Sequence, residues 1–148
     1  MPISEEKAMV RKATKEDIPL IADLMVALWP HHTAEEMKAE LQISVEDPET
    51  AFFAAGEYGF AQCCLRHDYV EGTESSPVGY LEAIYVDEKC RKQGVARALL
   101  RACENWAKEK GCGEFASDCE LDNTQSLKFH LAVGFEEANR IICFAKKL

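Results

Sequence analysis

Tyr80-Leu81-Glu82-Ala83-Ile84-Tyr85-Val86 and, four residues on, Arg91-Lys92-Gln93-Gly94-Val95-Ala96 form the stretch on which the fold turns. The first run is mostly apolar and rich in aromatic and β-branched residues, which suits a pleated strand. The second leads into Val95, Leu99, Ala102 and Trp106, whose spacing predicts an amphipathic helix over residues 95–110. A glycine turn entering a helix leaves backbone N–H groups without intrahelical partners. Those groups favour an anion, and Arg91 and Lys92 add positive charge beside them. The physical reading is a pyrophosphate cradle; its bland competitor is an ordinary strand-to-helix connector. No GxxxxGK[ST] run is present and no GxGxxG follows the strand, which excludes two other phosphate-binding loops.

Working outward, Met9–Ala13 reads as a short first strand. Thr14 and Asp17 offer a capping box, or Asp17 alone the cap, for a helix with Ile18, Ile21, Met25 and Leu28 on one face. Pro19 is tolerated only in the first turn of that helix, which ends near Trp29-Pro30. Thr33 and Glu36 cap a second helix carrying Met37, Leu41 and Val45, stopped by Pro48. Residues 50–55 and 59–65 read as paired strands around Gly56-Glu57. A polar stretch, 66–77, precedes the long strand 78–86. Beyond the long helix, Gly111 and Gly113 mark a stop. Residues 114–119 form the next strand, a helix opens near Asn123, and Phe135 with 140–145 suggests a closing hairpin. The order β-α-α-β-β-β-α-β-α-β predicts an α+β fold with a mainly antiparallel sheet packed by helices.

The 148 residues suit one domain spanning the whole chain. No run is long enough to span a membrane, and the charged N-terminus lacks a secretory apolar stretch, so the cytoplasm is expected. Seven cysteines are odd in number and include an adjacent pair, Cys63-Cys64. None has zinc spacing, so they read as reduced, small apolar residues and no metal is expected. A net charge of −9 argues against nucleic acid as the main partner. Residues 1–90 hold 18 acidic and 7 basic side chains, whereas residues 91–148 hold 8 and 10. That asymmetry favours an anionic nucleotide toward the second part and a cationic substrate toward the first.

Glu82 lies mid-strand, where an apolar residue is the norm, and Asp118 closes the next strand. A solvent-facing strand position and a helix cap are their bland explanations. Two acids on neighbouring strands beside an anion cradle also make a proton-accepting site.

The pattern R-x-x-G-x-A at Arg91–Ala96, with Asn123, Ser126, His130 and Gly134-Phe135 behind it, resembles the GCN5-related N-acetyltransferases over roughly residues 10 to 146. Leu28-Trp29-Pro30, the run 66–72, Ser75–Val78, Ala116–Asp118, Asn123-Thr124 and Gly134–Glu137 resemble more narrowly the aminoglycoside 6'-N-acetyltransferases. The resemblance implies the acetyltransferase fold, acetyl-coenzyme A as cosubstrate, an aminoglycoside or similar polyamine as acceptor, and a homodimer. It implies that Trp29, His32 and Tyr69 line the aminoglycoside site, with Asn139 where a glutamate is expected. Glu82 and Asp118 would hold and deprotonate the 6'-ammonium. Backbone groups along Ile84, Tyr85 and Val86 would meet the pantetheine and thioester, and Arg91, Lys92, Gln93, Gly94, Val95 and Ala96 the pyrophosphate. Asn123 would contact the pantetheine arm. His130 stands where many such enzymes carry a tyrosine thought to protonate the leaving thiolate. The side chains of Tyr85 and Phe129 read as structural. Acetylation of a polyamine or protein amine, a non-catalytic acetyl-CoA binder and a cysteine redox sensor are the competing readings, and the cysteine spacing does not support the last.

Overall fold

The computed structural model describes residues 9–148. Its elements are β1 (Val10–Lys12), α1 (Ile18–Leu28), α2 (Ala34–Ser44), β2 (Thr50–Ala55), β3 (Gly59–Arg66), β4 (Val78–Val86), α3 (Val95–Glu109), β5 (Phe115–Ser117) and α4 (Thr124–Ala132). The sheet runs in the order β1-β2-β3-β4-β5, antiparallel except for the parallel pair β4–β5.

Local chemistry explains the boundaries. The backbone N–H of Thr14 donates to the Asp17 carboxylate, the capping-box bond of the short turn that leads into α1; Asp17 precedes the first residue of α1, but its side chain does not cap that helix. Arg11 grips Asp17 through both guanidinium nitrogens, at 2.6 and 2.8 Å, and holds its carboxyl below the usual carboxylate range. The Thr33 hydroxyl accepts from the Glu36 N–H to start α2. Asn123 does the same for Ser126 at α4.

Alternation along the strands feeds two cores. Phe53, Ala55, Cys63 and Leu81 face α3, where Val95, Leu99, Cys103 and Trp106 recur at helical spacing and are buried. Phe52, Ala54, Phe60 and Ala83 face Ile21 and Met25 of α1 and Met37 and Leu41 of α2. Each fully buried Leu or Phe contributes roughly 1.5–3 kcal/mol, so these two layers fix the sheet between its helices. Gly79 lets α3 and β5 close on β4: a Cβ there would lie 2.6 Å from both the Ala107 methyl and the Phe115 ring. A third, smaller cluster of Val70, Val78 and Tyr80 ties the loop 67–77 to the start of β4.

The expected closing hairpin is corrected. Residues 135–148 form no strand, and Ile141, Ile142 and Phe144 are 71%, 79% and 90% exposed. Helix α4 buries none of its residues. No helix among the described residues is long and apolar enough to cross a membrane.

Candidate functional site

Strands β4 and β5 pair only from Gly79 with Phe115 to Leu81 with Ser117. Beyond Leu81, β4 continues to Val86 while the chain after β5 turns away toward α4, so the two elements splay. The opening is a cleft of about 470 Å³. Ile84, Tyr85 and Val86 form one wall, and Asn123, Ser126 and Phe129 of the α4 segment form the other. A strand edge without a neighbour presents N–H and C=O groups to whatever lies along it.

One end of the cleft is built for an anion. Lys92 and Gly94 both adopt positive φ, at 62° and 82°, and turn the chain so that α3 begins at the cleft. No side chain caps α3 and its first turn contains no acid, so its leading N–H groups and the dipole's positive end stay available. Arg91 Nε donates to the Val86 carbonyl at 2.8 Å, which anchors the turn to the strand, and its guanidinium lies 5.8 Å from the Tyr85 ring centre.

Of the residues expected at a nucleotide, Ile84, Tyr85, Val86, Arg91, Lys92, Gly94, Val95, Ala96 and Asn123 line this cleft. Gln93 sits in the same turn but not in the lining. Sequence reasoning missed Arg97, Gln125, Ala132 and Val133, named Ser126 as a motif position without a role, and read Phe129 as merely structural. The spacing 125, 129, 132 along a helix capped by Asn123 was a usable signal for that wall.

The two acids sit on the sheet face opposite α3. Gln62 pairs with Ala83 and Cys63 with Leu81, leaving Glu82 as an extra residue in β4, a β-bulge. The bulge turns Glu82 toward the side of the sheet that bears Cys64, Arg66 and Tyr80. Glu82 Oε1 accepts from Arg66 Nη2 at 2.7 Å and from the Cys64 thiol at 3.1 Å. The Arg66 guanidinium lies 3.4 Å from the centre of the Tyr80 ring. The Tyr80 hydroxyl donates to Asp118 at the end of β5. Glu82 and Asp118 are thus brought into one network from neighbouring strands. Burial, with Glu82 beside it, pushes the Cys64 thiol up to about 12, so it is an inert neutral donor at working pH. Burial and the bond to Asp118 likewise hold the Tyr80 hydroxyl above its ordinary range.

The remaining expected residues are more dispersed. Trp29 ends α1 and packs partly against the core on that side. His32 Nδ1 lies 3.0 Å from Glu36. Tyr69 is 76% exposed and donates to Glu71, whose other carboxylate oxygen accepts from Asn139 at 3.3 Å. Glu71 thereby links the loop 67–77 to the C-terminal segment, a contact that sequence reasoning did not find.

His130 lies outside the cleft lining. Its Nδ1 is 2.7 Å from the Ser126 carbonyl, an acceptor only, so Nδ1 carries the proton. Nε2 then accepts from the Ser117 hydroxyl at 2.7 Å. In this arrangement both ring nitrogens of His130 are engaged, and the ring lies away from the cleft. Among the described residues no group of three or more His, Cys, Asp or Glu could hold a metal ion.

Comparison with known proteins agrees with this architecture. The model of the Acetyltransferase (GNAT) family matches residues 18–135. An aminoglycoside N(6')-acetyltransferase type 1 of Stenotrophomonas maltophilia is 45% identical over 144 residues, covering 94% of this chain and 93% of its own. A structure of AAC(6')-Iy with the bisubstrate analogue CoA-S-monomethyl-acetylneamine superposes with a TM-score of 0.89 at 39% identity, covering 95% of this chain and 98% of that one. The aminoglycoside N-acetyltransferase AAC(6')-Iy in complex with CoA gives a TM-score of 0.90 at 38% identity, covering 95% of each chain.

Proposed function

The chain belongs to the Acetyltransferase (GNAT) family, and we propose that it transfers the acetyl group of acetyl-CoA to the 6'-amine of aminoglycosides, the reaction that disables these antibiotics. The observation that carries the reading is the convergence of Glu82 and Asp118 on the sheet edge next to a cleft that ends in an anion cradle. An aminoglycoside brings several ammonium groups, for which paired carboxylates supply attraction and orientation. The diphosphate of acetyl-CoA belongs on the Arg91–Ala96 turn, its pantetheine along Ile84–Val86 and against Asn123.

The chemistry is a direct attack in a ternary complex. Glu82, directly or through a water, takes a proton so that the 6'-nitrogen is neutral when it meets the thioester carbon. A backbone N–H near Ile84 faces the oxygen on which negative charge develops. Collapse breaks the carbon–sulfur bond, forms the amide and expels the CoA thiolate. We assign His130 a positioning role, joining β5 to α4 through Ser117 and Ser126, rather than that of the acid which protonates the thiolate. Trp29, His32, Tyr69 and Asn139 we read as the outer wall of the acceptor site.

Purified protein mixed with acetyl-CoA and kanamycin is expected to release free thiol, and a kanamycin analogue with hydroxyl in place of the 6'-amine is expected to release none. Release from both would move the reaction to another amine. Release with spermidine alone would make the acceptor a different polycation.

We further propose that the chain is a single domain that works in the cytoplasm as a homodimer. The dimer is supported by the open outer side of β5, by α4 with no buried residue and by the exposed apolar side chains of Ile141, Ile142 and Phe144, surfaces that a second copy would cover. Light scattering is expected to give twice the chain mass, and truncation after Phe135 to give the monomer. A full-length monomer would sink the proposal.

A further inference from the structure

We propose that Arg66 and Tyr80 are positioning residues that hold Glu82 and Asp118 as one unit, so that the two acids work at a fixed spacing rather than as independent carboxylates. The inference rests on the acetyl-transfer reading above and gives a role to two residues that the sequence reading quoted within longer runs but assigned none.

Four side chains from three adjacent strands form the unit. Arg66 ends β3, Tyr80 and Glu82 lie on β4, and Asp118 follows β5. Arg66 Nη2 and the Cys64 thiol both fall on Oε1 of Glu82, leaving Oε2 without a hydrogen-bond partner among the described residues. One carboxylate oxygen is therefore clamped and the other is open, which is the asymmetry a proton acceptor needs if its reactive oxygen is to point one way. The guanidinium that makes the clamp is itself located, 3.4 Å from the centre of the Tyr80 ring, where the ring's negative face attracts it. The same ring fixes the second acid, because its hydroxyl donates to Asp118. Tyr80 can serve both ends because it is rigid: only 6% exposed and packed against Val70 and Val78.

Arg66 also answers a problem of charge. Two carboxylates brought to one site repel each other, and the guanidinium bonded to Glu82 adds a positive charge that offsets the repulsion. Its planarity matters here, since it must stack on the ring and point an N–H at Oε1 together. A lysine carries the charge but cannot do both.

The experiment is a double-mutant cycle with Arg66→Gln and Tyr80→Phe, read as kcat and KM with kanamycin at saturating acetyl-CoA. Tyr80→Phe keeps the ring and removes only the bond to Asp118. Each single variant is expected to lose about tenfold to a hundredfold in kcat, the usual consequence of a misplaced catalytic group, while a parallel series with acetyl-CoA varied gives an unchanged KM for acetyl-CoA. The double variant is expected to lose clearly less than the product of the two, since the second change acts on a unit already broken. Arg66→Lys is expected to recover only part of the Arg66→Gln loss. Multiplicative losses would overturn the unit, and unchanged kcat in both single variants would overturn the positioning role. Full rescue by lysine would reduce Arg66 to a bare charge and likewise overturn it. Thermal melting of each variant separates these outcomes from unfolding. An inactive wild-type protein would instead refute the acetyl-transfer reading.

Discussion

Glu82→Gln lowers kcat with kanamycin by about 10²- to 10⁴-fold, the range in which a positioned general base acts, and leaves the KM for acetyl-CoA close to the wild-type value. The substitution is nearly isosteric, so the β-bulge and the Arg66 contact geometry survive while the proton-accepting oxygen is lost. The cleft proposed for acetyl-CoA runs along Ile84–Val86 and the α3 turn and is not lined by Glu82, so the loss is expected on kcat rather than on acetyl-CoA binding. Steady-state kinetics by thiol release measure both parameters in one series. A loss confined to the KM for kanamycin would make Glu82 a binding acid only, and would shift the proton route to Asp118 or to solvent.

Arg97→Glu is expected to raise the KM for acetyl-CoA roughly thirtyfold while the protein melts at the same temperature or slightly higher. Arg97 is the third residue of α3, lies on the surface and lines the cleft at its anionic end. Reversing its charge beside a bound diphosphate costs about 2 kcal/mol at the dielectric and salt of a surface site. A carboxylate in the first helical turn, by contrast, stabilises the helix by about 0.3–1 kcal/mol through the macrodipole. The two effects have opposite signs because one new carboxylate meets two partners: it repels the diphosphate and is attracted by the positive end of the helix. Saturation kinetics and a thermal melt distinguish them. A fall in melting temperature together with an unchanged KM would mean that Arg97 serves the fold, through its contact with the Ala132 carbonyl, and not the cofactor.

Much of this molecule is written in local pattern. The capping box of Thr14 with Asp17, the caps at Thr33 and Asn123, the glycine turn at residue 94 and the helical stripe from Val95 to Trp106 each depend on residues close in the chain, so they can be read from it. The acids Glu82 and Asp118 stood out for the same reason, as polar residues in apolar strands. What escaped is long-range. Arg66 meets Tyr80 and Glu82 only because β3 and β4 pair in one register, and Asp118 meets Tyr80 only because β5 joins in parallel after a helix. Nor does the run 78–86 reveal its bulge, since apolar residues on both sides of Glu82 hide any change of phase. His130 matched a motif position, yet the bonds that occupy both its nitrogens come from Ser117 and Ser126, which no spacing rule couples to it. The closing hairpin failed because residues 140–145 have strand-like composition but no pairing partner in their own chain among the described residues.

The extra residue in β4 has a consequence for how this strand tolerates change. On one side of Glu82, Leu81 belongs to the α3 core and Tyr80 to the opposite face; on the other, Ala83 faces α1 and α2 while Val86 lies over α3. Odd and even positions therefore exchange meaning halfway along a single nine-residue strand. Deleting Glu82 would restore a regular ladder and keep the side chains on either side of it on their present faces, because Gln62 already pairs with Ala83 and Cys63 with Leu81. The packing therefore does not require the extra residue: a length change that erases the acid leaves the hydrophobic residues on both sides of it aligned. Keeping the position is a demand of the site, not of the core.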